Sequence, residues 1–320
     1  MLRGYIYRNK ELFNVDSKSF NGFKDQRAKF WLDYSEESPD QINKISEFIN
    51  LHPVTIEDLQ GDEENTRTKY EEFNDYTFIV YAGVKKVNKD YIDRHIIYFL
   101  ISKNFIVTVH KEDNKIIENL KDNKKKLKFL LSKGVDYLLH HLIDNEIDLY
   151  YPIVEKIEKN IEKADKDILI RHNDKDLDIL FDIKSLNNEL RSLIVPTTRM
   201  IARIIKPSND HVRKEVMIYF RDVIDNLIRI NESLQSSNDQ ITAIISERNT
   251  ILSSNMNDIM KVLTIIATIM MPLTLITGVY GMNLPFLPGG HSKESFYLIM
   301  GLMLVISIVM LLYFKRKRWI

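Results

Sequence analysis

The chain's charged positions stop abruptly twice. Residues 262–280 and 296–314 are runs of 19 residues without Asp, Glu, Lys, Arg or His. As a helix each would be about 28 Å long, close to the ~30 Å hydrocarbon thickness of a bilayer. Both are expected to cross a membrane. A buried core helix is the competing reading, and two such runs joined only by residues 281–295 disfavour it.

Upstream the pattern is different. β-Branched and aromatic residues cluster at 3–8, 29–34, 76–87, 91–101 and 105–109, which predicts strands. Residues 39–50 and 53–60, each with Pro near its start, and 113–126 predict helices between them. Residues 1–135 are therefore expected to form a cytoplasmic α/β domain; they contain no Gly-rich phosphate loop, nucleophile elbow or HExxH segment. From 136 the period becomes helical. Segments 136–167 and 175–206 read as the arms of a hairpin (residues 136–206) turning at Arg171-His172-Asn173-Asp174. The first arm carries Asp144, Glu146, Asp148, Glu155, Glu158, Glu162 and Asp165, with Lys156, Lys159, Lys163 and Lys166 at helical spacing. Such a series marks a solvated face, with cation attraction as the rarer use.

Pro207-Ser208-Asn209-Asp210 breaks the chain, and Asp210 is placed to cap a helix that meets no proline until Pro272. Val216, Phe220, Val223, Leu227, Ile230 and Leu234 recur at spacings of four and three, a coiled-coil-like seam. An unbroken helix over 210–280 would have 71 residues and a length of roughly 105 Å. A stalk at 207–261 would thus continue into a first transmembrane helix at 262–280. One chain supplies one such helix, which implies parallel packing of identical chains around an axis.

Composition narrows the partners. The formal net charge is zero, which argues against a chain-wide affinity for nucleic acid. Cysteine is absent, so thiolate metal sites and disulfides are excluded. The amino-terminal residues lack the pattern of a secretory signal, so about 260 residues are expected in the cytoplasm, with loop 281–295 outside and a second span at 296–314. The tail at 315–320 contains Lys315-Arg316-Lys317-Arg318 and returns to the cytoplasm, as the positive-inside rule requires. Its charges either anchor orientation against anionic lipid or take part in pore control. The expected location is the cell membrane, with both termini cytoplasmic.

The two spans differ in character. Steps of three and four pick out Asn257, Met260, Thr264, Ala267, Met271, Thr274 and Gly278 in the first, a stripe of small, polar or flexible side chains. The second is apolar all round apart from Gly301 and Ser307, as a lipid-facing helix should be. The stripe fits either a pore lining or close helix packing, and alone it does not decide between them.

The residues at the exit of the first span decide it. Tyr280-Gly281-Met282-Asn283 resembles the signature of the CorA family of magnesium transporters, whose Gly-Met-Asn triplet comes directly after the first of two C-terminal spans. The resemblance extends through Met260 to Thr268, Met271-Pro272-Leu273-Thr274, Tyr219-Phe220-Arg221-Asp222-Val223, Leu51-His52-Pro53, Ile56-Glu57-Asp58-Leu59 and the basic tail. It implies a funnel-shaped homopentamer that passes Mg²⁺, and sometimes Co²⁺ or Ni²⁺, inward. It implies no enzyme activity and no organic cofactor. Gly281, Met282 and Asn283 would form the selectivity filter: Mg²⁺ sheds water reluctantly, so a ring of Asn283 amide oxygens would bind the ion's own water shell. Passive entry suffices, because a doubly charged ion gains about 4.6 kcal/mol per 100 mV of inside-negative potential.

By the same resemblance Met260 and Leu263 would narrow the pore as apolar rings, and Asp222 would bind regulatory Mg²⁺ between neighbouring cytoplasmic domains. The family's acidic partner falls near Val87-Asn88 here, with only Asp90 and Asp93 close by. The outer loop also departs from the pattern: Glu294 is its one carboxylate, and His291 near the mouth is more often incidental than a ligand. His52, His95 and His110 read as isolated structural residues, and adjacent His140 and His141 cannot share one site on a helix. The alternative function is a membrane-tethered cytoplasmic sensor or scaffold, which accounts for the stalk but not for Gly-Met-Asn or the polar stripe.

Overall fold

The computed structural model describes residues 2–15, 25, 27–35, 39–61, 66–88, 91–111, 114–171, 175–282 and 293–319. Its strands are β1 Leu2–Arg8, β2 Glu11–Val15, β3 Lys29–Ser35, β4 Lys69–Glu72, β5 Thr77–Val87, β6 Ile92–Ile101 and β7 Phe105–His110. They form one sheet in the order β2-β1-β3-β7-β6-β5-β4. Among these strands only β3 and β7 pair in parallel. Every residue of β7 is buried, as a central strand covered on both faces requires.

Five of these strands coincide with the apolar clusters, and two do not. β2 pairs with β1 across Asn9 and Lys10, whose φ values of 51° and 65° make a tight two-residue turn. Lysine stands where such turns favour glycine, which hides the hairpin in the sequence. β4 reads Lys-Tyr-Glu-Glu and pairs only with β5 at the sheet edge, where short charged strands are at home.

The helices are α1 Pro39–Phe48, α2 Pro53–Gln60, α3 Lys115–Asp122, α4 Lys124–Lys133, α5 Val135–Asp148, α6 Tyr150–Arg171, α7 Lys175–Ile204, α8 Lys214–Tyr280 and α9 Lys293–Arg316. Three boundaries differ from expectation for physical reasons. The helix expected at 113–126 is two, because the Asn123 side chain accepts from the Lys126 N–H (3.0 Å) and starts α4 anew. The arm expected at 136–167 is broken at Leu149, since Pro152 has no N–H to continue the ladder and fits only a helix's first turn. Asp210 does not cap α8. That helix begins at Lys214, and the N–H of Arg213 just before it donates to Asp136 of α5 (3.1 Å). The hairpin turn at residues 172–174 lies outside the described residues.

The chain divides into two compact units, Met1–Ala243 and Ile244–Ile320, and α8 contributes to both. In the first, α4 packs on β1, β2 and β3, α5 on β3, β5 and β7, and α7 on β4, β5 and β6. A buried polar knot joins β3, β7 and α3: Asp33 pairs with Lys121 (2.5 Å) and His110 (3.2 Å) and accepts from Thr108. Burial opposes the charge on Asp33, but the His110 and Lys121 contacts hold its carboxyl below its ordinary value.

The seam on α8 is fully buried within this one unit. Phe220 meets His140 of α5 (5.3 Å between ring centres), Ser233 donates to Glu158 of α6, and Asn187 of α7 donates to Asn238 (3.1 Å). The heptad-like spacing therefore packs the stalk on its own chain, not on a copy of itself. In the second unit Ile265 and Phe314 are buried, and Trp319 stacks on Phe314 at 5.7 Å.

Candidate functional site

The stripe residues all lie on α8. At 3.6 residues per turn Asn257, Met260, Thr264, Ala267, Met271, Thr274 and Gly278 fall within an arc of about 100°, and all seven are exposed in the single chain. Met271 is the most open of the bulky ones, at 77 %. A Cβ added to Gly278 would meet nothing within 4 Å. This face is unpartnered within the protomer, as are Val262, Ile266 and Met270 on the other side of the helix, so residue type and not exposure sets it apart. Polarity along it is partly satisfied in place: the Thr264 hydroxyl donates to the Met260 carbonyl (2.7 Å), leaving its oxygen lone pairs outward. Pro272 supplies no N–H to the carbonyl one turn earlier, that of Thr268.

Just before the apolar span Lys261 pairs with Asp258 at 2.9 Å, so the last charges on the helix are matched. At the other end Gly281 continues the helical bonding, its N–H donating to the Thr277 carbonyl at 2.8 Å. A Cβ there would stand 2.9 Å from that same backbone oxygen, too close for any other residue without a shift. The tight exit explains glycine at 281. Met282 is 53 % exposed. Asn283, the loop beyond it and His291 lie outside the described residues. Glu294 sits in the first turn of α9.

Asp222 is exposed on α8. It acts electrostatically on His140 and Asp144 of α5. Burial raises the Asp144 carboxyl above its ordinary value, His140 opposes the rise, and Asp148 and Asp222 add to it. Burial likewise lowers His140, against the pull of Asp144 and Asp222. Asp93 is on β6, and Asp90 lies outside the described residues. Asp144 belongs to the acidic series that the sequence assigns to a solvated face. Its spacing from His140 and Asp148, four residues each way, places all three on one face of α5 and is the signal that could have singled it out. Among the described residues no group of three or more His, Asp or Glu side chains is close enough to hold a metal ion within one chain.

The three histidines read as structural have such partners. His52 caps α2, accepting from the Val54 N–H (3.3 Å), and stacks on Phe73 at 5.1 Å. His95 pairs with buried Glu146 at 2.9 Å, and His110 with Asp33.

Residues 28–316 match the family model described as "CorA-like Mg2+ transporter protein". The cobalt/magnesium transport protein CorA of Thermotoga maritima is 29 % identical over 316 residues, covering 97 % of this chain and 89 % of that protein. The putative metal ion transporter YfjQ of Bacillus subtilis is 30 % identical over 294 residues, covering 91 % and 90 %. Among solved structures, the complete CorA magnesium transporter of Methanocaldococcus jannaschii superposes with a TM-score of 0.82 over 100 % of this chain and 99 % of that one. At 21 % identity that likeness concerns the fold alone.

Proposed function

The chain belongs to the CorA-like Mg²⁺ transporter family, and from that premise we propose that five copies form a membrane channel for passive, potential-driven uptake of Mg²⁺, and also of Co²⁺ or Ni²⁺. The observation that carries this reading is the arc from Asn257 to Gly278: small, polar or flexible side chains on a helix whose other faces carry Val262, Ile266 and Met270, ending at Gly281-Met282-Asn283. Copies packed around an axis would turn that arc inward, and α9 would face lipid. The seam is already filled, so assembly would use the other apolar residues that α8 leaves exposed, among them Ile218, Ile228, Met256 and Ile259. Their exposure in a single chain is what a partner would remove.

In this arrangement both termini lie in the cytoplasm of the cell membrane. Rings of Met260 and Leu263 would close the pathway by excluding water, a barrier that falls most heavily on a divalent ion. Asn283 amides would meet hydrated Mg²⁺ at the outer mouth. Asp222, with Asp144 near it, would supply the negative field for a regulatory Mg²⁺. Completed by groups from a neighbouring subunit, the bound ion would favour the closed state. The test is uptake into liposomes under an inside-negative potential. The reading requires Mg²⁺ entry that rises with the potential and falls as internal Mg²⁺ accumulates. Correctly inserted protein that admits no divalent ion would leave the tethered sensor as the better description.

A further inference from the structure

A cavity of about 690 Å³ opens where the end of β5 meets α6 and α7, within the first unit. Its apolar lining comes from Leu149, Ile153, Ile157, Ile183 and Leu186. Leu149 and Ile179 remain substantially exposed. Interleaved with these are hydrogen-bond donors: the exposed Lys85 and Lys86 on β5, the exposed Lys156 and Lys163 on α6, and Asn88 just past the strand. The Asn88 side-chain nitrogen is buried and has no hydrogen-bond partner among the described residues. An orphaned buried donor is costly and calls for an acceptor. Four ammonium groups outnumber the two carboxylates, Asp167 and Asp182, that share the cavity.

We propose that this cavity binds a nucleoside di- or triphosphate. A donor-rich lining selects an acceptor-rich anion. Lys156 and Lys163 lie two turns apart on one face of α6, about 10 Å along the axis, which a single carboxylate or phosphate cannot bridge and a polyphosphate chain can approach from both ends. The aliphatic side chains among the lining can cover the face of a flat base, and the Asn88 amide can donate to a ring nitrogen or carbonyl of that base. A ligand held there touches β5, α6 and α7 at once, so it would brace the helical hairpin against the sheet. The proposal concerns the first unit, and its test by direct binding does not depend on ion conduction.

The full-length protein in nanodiscs, titrated calorimetrically with ATP in excess EDTA, gives the direct measurement. Saturable binding at one site per chain is expected, and Lys156→Glu should weaken it about tenfold or more, as loss of a charge-assisted contact does. Ile179→Trp, at the exposed edge of the cavity, should also weaken it while oligomer size stays normal. Tripolyphosphate without a base should bind at least tenfold more weakly than ATP. Absence of saturable binding, binding unaffected by both variants in properly assembled protein, or equal affinity for ATP and tripolyphosphate would overturn the proposal.

Discussion

Arg213 shows how much a single side chain can organise. Its guanidinium takes both oxygens of Asp136 (2.8 and 2.6 Å) and also the Lys133 carbonyl (2.6 Å), so the end of α4, the start of α5 and the start of α8 meet at one residue. Gly134 between the two helices has φ of 149°, and a Cβ there would collide with that guanidinium. Arg213→Ala would strand a buried carboxylate, although solvent around the guanidinium limits the loss to about 2 kcal/mol. Thermal unfolding of the full chain should register it as a lower midpoint with the seam still packed. Farther along α5, burial pushes His141 down to about 4, helped by Lys126 and His140. Its Nδ1 accepts from the Asn145 amide (2.9 Å), an arrangement suited to the neutral ring. Because the folded pKa lies below the unfolded value of about 6.5, the unfolded chain binds the extra proton between those values. Stability should therefore be full above about pH 6.5 and decline as pH falls toward 4. Denaturant midpoints measured across that window should slope less in His141→Gln than in wild type.

At the scale of elements, periodicity carries most of the fold. The five apolar strands and the helices that carry the two apolar runs stand where spacing puts them, and the long helix runs through Pro272. What spacing could not reveal is decided by contacts distant in sequence. β4 is a strand only because β5 offers it an edge, and α8 starts at Lys214 because Asp136, 77 residues before Arg213, takes the donor that Asp210 would otherwise serve. The seam from Val216 to Leu234 is visible as a pattern, but a pattern names a buried face without naming what buries it. The candidate site divides the same way. The stripe and Gly281 can be read from residue type and position, whereas Asp144 beside Asp222 needs the packing of α5 on α8. The proposed gate belongs to this scale. Leu263→Asp would put one carboxylate per chain into the apolar ring, wetting it and attracting cations, so Mg²⁺ should leak into liposomes at internal concentrations that close the wild type. Flux and closure identical to wild type would remove Leu263 from the gate.

At the scale of the whole molecule, α8 runs through both units. The half in the first unit carries Asp222, and the half in the second carries the exposed stripe; Mg²⁺ at the former is proposed to govern passage along the latter. Asp222→Ala should accordingly conduct as well as wild type at low internal Mg²⁺ and resist inhibition as that concentration rises. An unaltered inhibition curve would make Asp222 an ordinary surface carboxylate. The central claim, that hydrated Mg²⁺ is recognised at the end of the pore helix, is tested most directly at Asn283. Mg²⁺ uptake into dye-loaded liposomes, measured beside oligomer size for Asn283→Ala, is expected to fall to background in a normally assembled channel. An assembled Asn283→Ala oligomer that conducts Mg²⁺ at the wild-type rate would contradict the account.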